Sequence, residues 1–184
     1  MTAVFIGGSR RVTRLNDDIR RRIDRLVEKR LPVLIGDANG ADKAVQRYLK
    51  NRGYERVEVF CIKGNCRNNV GHWPLRAVPA SHATRDFAYY ASKDRLMARE
   101  ASVGLMIWDG KSAGTLANVA RLIKQHKKVV VYTVPAKAFT NLISEADWER
   151  FLSCCAPEVH ERVEHEMSAE ASPLQIQSEA RTLF

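Results

Sequence analysis

The chain lacks any apolar run long enough to span a bilayer. No N-terminal stretch joins a charged segment, an apolar segment and a small-residue cleavage site, so no secretory leader and no membrane contact are expected, and a cytoplasmic location is. Cysteine is scarce: Cys61, Cys66, Cys154 and Cys155 form no Cys-x-x-Cys pair and have no regular histidine spacing, so neither a zinc site nor a disulfide framework is indicated and reduced structural thiols are expected. No metal is expected. The lysine of a phosphate-binding P-loop and the Gly-x-Gly-x-x-Gly fingerprint are both missing, so neither a P-loop ATPase nor an ordinary dinucleotide dehydrogenase is supported, and no cofactor is expected. Internal repeats beyond an alternation of strands and helices, and low-complexity tracts, are also absent.

What is present fits one core: 184 residues, 45% of them hydrophobic. The formal charge is +9, and much of it is concentrated early, in Arg10, Arg11, Arg14, Arg20, Arg21, Arg22, Arg25, Lys29 and Arg30, whereas the last thirty residues are acidic. Such a balance allows a nucleic-acid partner or a phosphorylated small molecule. No aromatic residue is interleaved with these cations for base stacking, so a solvated helix face is the preferred reading over a nucleic-acid groove.

Along the chain, Ala3 to Ile6 is a short apolar run ending in Gly7-Gly8, and a helix follows Asn16 as cap, with Ile19, Ile23, Leu26 and Val27 at helical spacing. Val33 to Ile35 ends in Gly36-Asp37-Ala38-Asn39-Gly40, and Ala41, Ala44, Val45, Tyr48 and Leu49 mark a second helix stopping at Gly53. Val57 to Ile62 reads as a third strand, and Lys63 to about Thr84 as a long polar loop. Phe87, Tyr90, Ala91, Met97, Ala98 and Ala101 give a third helix, and Val103 to Trp108 the next strand. A further glycine loop, Asp109 to Thr115, leads into a helix with Leu116, Val119, Ala120 and Ile123, and Val129 to Val134 is a fifth strand closed by Pro135. Ser144 with Asp147 predicts a capped helix through about Cys155.

This is an α/β pattern: a Rossmann-like three-layer sandwich with a mainly parallel sheet of about five strands over residues 1–155. Residues 156–184, Glu-, Ser- and Gln-rich, form a weakly helical or mobile C-terminal tail in which Val159, Val163 and Met167 recur every four residues and Arg181 to Phe184 offer a docking peptide. Trp148, Phe151 and the tail fit a homo-oligomer interface and a monomer with a docked helix equally well.

In open parallel sheets ligands sit beyond the carboxyl ends of the strands. Three glycine loops lie there. Gly7-Gly8-Ser9-Arg10 offers close backbone approach, a hydroxyl and a guanidinium suited to phosphate. Ser112, Gly114 and Thr115 start a helix where hydroxyls and amides can converge on an anion. In Gly36-Asp37-Ala38-Asn39-Gly40-Ala41-Asp42 the two carboxylates supply only acceptors, which suits ribose hydroxyls better; for Asp42 the competing reading is neutralisation of its own helix's positive end. Asp94 falls on the apolar face of its helix, so it is hydrogen-bonded structurally or open to a cleft. His72 and Trp73 offer stacking or acid–base chemistry, or plain packing, and Trp108 reads as core with its indole edge near the site.

Taken together, Gly-Ser-Arg after the first strand, Gly36-x-x-x-Gly40-x-Asp42 after the second, and Trp108-Asp-Gly-Lys-Ser-x-Gly-Thr-x-x-Asn118 after the fourth resemble the SLOG superfamily, in particular its small bacterial Gly-Ser-Arg-type branch, over roughly residues 1–135. The resemblance implies a nucleotide or nucleotide-derived ligand, with Ser9, Arg10, Ser112, Gly114 and Thr115 around phosphate, Asp37, Asp42 and Asn118 around sugar or base, and Asp109 beside them. Relatives point to different activities. The Lonely Guy phosphoribohydrolases cleave N-glycosidic bonds of nucleoside monophosphates with a glutamate where this chain has Asn118; an amide is no general base, so that chemistry here requires Asp94 first, with Asp37 next and Asp109 after it. The DNA-processing relatives bind single-stranded DNA, and others sense signalling nucleotides.

Overall fold

The computed structural model describes residues 2–79 and 87–170. Its strands are β1 (Val4–Gly8), β2 (Val33–Gly36), β3 (Val57–Ile62), β4 (Leu75–Val78), β5 (Val103–Trp108), β6 (Lys128–Thr133) and β7 (Ala138–Leu142). The helices are α1 (Asp17–Glu28), α2 (Ala41–Asn51), α3 (Phe87–Glu100), α4 (Ala113–Ile123), α5 (Glu145–Ser153) and α6 (Pro157–Glu170). The sheet order is β4-β3-β2-β1-β5-β6-β7, parallel throughout except for β6 with β7.

Side chains alternate across each strand, and this divides the core in two. Val4, Ile6, Val33 and Ile35 pack with Ile19, Ile23, Val45 and Leu49 of α1 and α2. Phe5, Leu34, Met106 and Trp108 pack with α3 and α4, joined by Leu152 of α5 and Val159 and Val163 of α6. Local chemistry sets the helix starts: Asn16 Oδ1 accepts the Ile19 N–H at 3.1 Å, and Ser144 Oγ accepts that of Asp147 at 3.1 Å.

Among the described residues the sheet has seven strands, not about five. The two additional ones are β4 and β7, the edges. In β4, set between Pro74 and Pro79, only Val78 is buried, and in β7 only Leu142. Each leaves one side chain in the core, so neither shows an apolar run; backbone pairing along a neighbour makes the strand. β4 therefore interrupts what reads in the sequence as one loop from Lys63 to Thr84, of which residues 80–84 lie outside the described part. The stretch before it is ordered: Gln46 donates to the Gly36 and Asn68 carbonyls at 2.9 and 3.2 Å and accepts the Val70 N–H at 2.9 Å.

At the carboxyl end of the chain, α6 lies against α4 with Val159 and Val163 buried, so the four-residue valine spacing is a docked helix within residues 156–170. The peptide Arg181 to Phe184 lies outside the described residues. No helix among the described residues is long and apolar enough to cross a membrane. The arginine-rich α1 is a solvated face in which Arg20 pairs with Asp17 and Arg21 with Asp18, while Arg22 lies over the Phe139 ring at 4.6 Å.

Candidate functional site

Strand order reverses between β1, which continues through α1 to β2 on one side, and β5 on the other. A cleft of about 570 Å³ opens at the carboxyl ends of these two strands. Of the residues singled out from the sequence, Gly7, Gly8, Ser9 and Arg10 line it from the first loop, and Asp109, Ser112, Gly114, Thr115 and Asn118 from the third, with Asp42 and Asp94 between. Gly36, Asp37 and Gly40 are not among the lining residues.

The anion-facing side is built by backbone. Ser112 caps α4, its Oγ accepting the Thr115 N–H at 3.4 Å and the Thr115 hydroxyl at 3.0 Å, so Ala113 and Gly114 stand where a helix has N–H groups with no partner inside it. Asp109 shapes the approach: its Oδ1 accepts the N–H groups of Lys111 and Ser112 at 3.0 and 2.8 Å. Burial opposes the ionisation of Asp109, but these bonds and the Ser9 hydroxyl outweigh it and hold its pKa below the usual value. Arg10, Arg11 and Lys111 supply exposed positive charge at the same rim. Trp108 is core, with its indole N–H on the Ser112 carbonyl at 3.1 Å.

The cleft floor is a charged chain between α3 and α4. The Lys93 ammonium lies 2.8 Å from Asp94, whose second oxygen accepts from Asn118 Nδ2 at 3.2 Å; the Asn118 carbonyl oxygen in turn accepts from Arg121. Burial raises the Asp94 pKa, yet Lys93 and Arg121 and the bonds from Lys93 and Asn118 win, so Asp94 is held ionised. Lys93 is itself buried, which favours its neutral form, but Asp94 and Asp42 outweigh that and keep it charged. The geometry gives Asn118 its reason: facing an ionised Asp94, an amide donates, whereas a glutamate would set two like charges together. Asp42 behaves differently. Burial pushes its carboxyl up to about 7, with Lys93 opposing and Asp94 adding to the rise.

Asp37 is turned away from the cleft. It accepts from Arg67 N at 3.1 Å, Nε at 3.1 Å and a terminal guanidinium nitrogen at 2.7 Å, and these contacts with the pull of Lys93 overcome burial and lower its pKa. Its carboxylate fastens the segment after β3 and is buried there. Gly36 brings the acids together: a Cβ there would lie 2.5 Å from Asp42 Oδ2 and 2.9 Å from Lys93 Nζ. Trp73 is buried with its indole N–H on the Tyr54 carbonyl at 2.9 Å, and so is packing, while His72 is exposed.

Several lining groups escape sequence reasoning. Lys93 shares a four-residue spacing with Tyr89 and Met97, and all three are buried, but a lysine at such a position reads as solvent-facing in the sequence. Tyr90 reads in the sequence only as part of an apolar stripe, yet it lines the cleft with the guanidiniums of Arg67 and Arg10 at 4.7 and 5.3 Å from its ring centre. Arg162 and Glu166 of α6 also line it and have no local signal at all. Among the described residues no group of three or more His, Cys, Asp and Glu is arranged to hold a metal ion. The chain matches no protein-family model, no curated protein and no solved structure.

Proposed function

We propose that the cleft binds a nucleotide or nucleotide-derived ligand, with its phosphate at the start of α4 beside Ser9 and Arg10 and its sugar toward Asp42 and Asp94. The observation that carries this reading is the convergence, at the point where strand order reverses, of a glycine-lined strand end, a capped helix start and three exposed cations. The volume of about 570 Å³ falls in the roughly 300–1,000 Å³ range of small-molecule sites. Tyr90, Phe5 and Met97 supply an apolar wall for a base. The resemblance to the SLOG superfamily points the same way.

Calorimetry with nucleoside 5′-monophosphates and ADP-ribose tests it. Saturable binding is expected, weakened about 10- to 100-fold in Arg10→Ala, the loss of one charge-assisted hydrogen bond to phosphate. Arg25→Ala, on the solvated face of α1, is the control. Absence of binding, or equal losses in the two variants, removes the reading.

A second reading, hydrolysis of a nucleotide's N-glycosidic bond, is favoured by one observation: two carboxyls line one cleft in environments that push them in opposite directions, Asp94 toward its ionised form beside Lys93 and Asn118, and Asp42 up to about 7 by burial. Asp94 would take a proton from the attacking water, whose hydroxide joins the sugar carbon, while Asp42 protonates the departing base. Chromatography of nucleoside monophosphates incubated with the protein should then show free base and ribose phosphate, with Asp94→Asn abolishing the release. If the nucleotides are recovered intact from the unaltered chain, it is a binder without turnover.

A further inference from the structure

Three carboxyl groups, Asp94, Asp42 and Asp37, interact with the Lys93 ammonium, and the cations near them are unevenly shared. Asp37 is held by Arg67 through three hydrogen bonds. Asp94 has Lys93 at 2.8 Å and Asn118 at 3.2 Å, with Arg121 behind the amide. Asp42, in the first turn of α2, accepts the Ala38 N–H at 3.2 Å and has Lys93 as a neighbour shared with Asp94. It is 6% exposed and lines the cleft.

The groups that face Asp42 come from every side: Lys93 and Asp94 from α3, Asp37 from the loop ahead of α2, and Arg67 from the segment after β3. An ionised Asp42 would be a third negative charge beside Asp37 and Asp94, in a place with little water. A proton removes both costs. Gly36 lets the Asp42 carboxyl and the Lys93 ammonium rest on bare backbone, so the group is held in place at the cleft wall.

We propose that Asp42 carries the proton of this cluster and that its loss turns the cleft from one that admits an anionic ligand into one that repels it. The inference rests on the anion-binding reading above and adds its regulation: ligand uptake and protonation of Asp42 are coupled. The balance of charges around Asp42 agrees with the upward push on its carboxyl to about 7. The sign follows. Below that value Asp42 is neutral and can donate a hydrogen bond to the ligand; above it, binding an anion must first restore the proton, so affinity falls as pH rises. By reciprocity, bound anion raises the Asp42 pKa further.

Two measurements on the full chain decide it. Carboxyl-carbon NMR without ligand should show Asp42 titrating near neutrality, with Asp37 and Asp94 ionised throughout that range. A midpoint for Asp42 at the ordinary carboxylate value overturns the proposal, and this readout needs no variant. Calorimetry then uses inorganic sulfate and ADP-ribose, neither of which exchanges a proton in the range. Affinity is expected to drop on the order of tenfold or more between about pH 6 and about pH 8.5, and Asp42→Asn should flatten the profile. Equal affinities at the two pH values in the unaltered chain, or an undiminished slope in Asp42→Asn, overturn the coupling while leaving the cleft an anion site. Failure of both probes to bind at any pH overturns the anion-binding reading and the coupling together.

Discussion

Gly40→Ala is expected to cost about 3–5 kcal/mol of stability and to take ligand binding with it. Gly40 sits at φ +82°, ψ −127°, a region that residues with a Cβ scarcely enter. A methyl group there would also collide with the backbone of Arg10, at its carbonyl oxygen, carbonyl carbon and Cα. Backbone cannot yield as a side-chain tip can. The same contact region carries the Ala41 N–H to the Ser9 carbonyl at 3.0 Å, which ties the start of α2 to the loop holding Ser9 and Arg10. Gly53→Ala is the comparison: its φ is +62°, but a Cβ meets nothing within 4 Å, so only the left-handed backbone term of about 1–2 kcal/mol applies. Urea denaturation of the two variants measures the difference. Equal midpoints would show that the approach of Gly40 to Arg10 does not constrain the fold.

Lys93→Met should be nearly as damaging, at about 3–5 kcal/mol, because it leaves buried acids without their shared cation. Its direction with pH is set by those acids. In the folded variant Asp94 and Asp42 lose the charge that favours their ionised forms, so both bind protons more tightly than in the unfolded chain. The folded state then takes up protons as pH falls, and the deficit should shrink on going from about pH 8 to about pH 5. Adding Asp94→Asn to Lys93→Met removes one stranded charge and should recover part of the loss. A deficit that does not change with pH, or a double variant no better than the single, would mean that the ammonium contributes by packing alone.

The candidate site was partly legible in the sequence, and the residues that were missed share a cause. Ser9, Arg10, Ser112, Gly114 and Thr115 announce themselves because glycine loops between a strand and a helix are local patterns, and Asp94 because it breaks an apolar helical face. Asp37 has the same local credentials, yet Arg67, thirty residues on, claims its carboxylate. Lys93 was hidden by its type: lysine is read as solvent-facing, and only its approach to Gly36 and Asp94 makes a buried ammonium affordable.

What the sequence by itself determined is the alternation of strand and helix, the α/β class, the caps at Asn16 and Ser144, and the delivery of glycine loops to one edge of a parallel sheet. These follow from periodicity and capping, which act over a few residues. Tertiary structure alone decided the rest: β4 and β7 exist because a neighbouring strand offers its backbone, the Asp42 carboxyl is pushed up because the fold buries it with Asp94 nearby and only a shared Lys93 opposing, and α6 reaches the cleft because Val159 and Val163 find room beside α4. Each depends on groups far apart in the chain, and no local pattern carries that information.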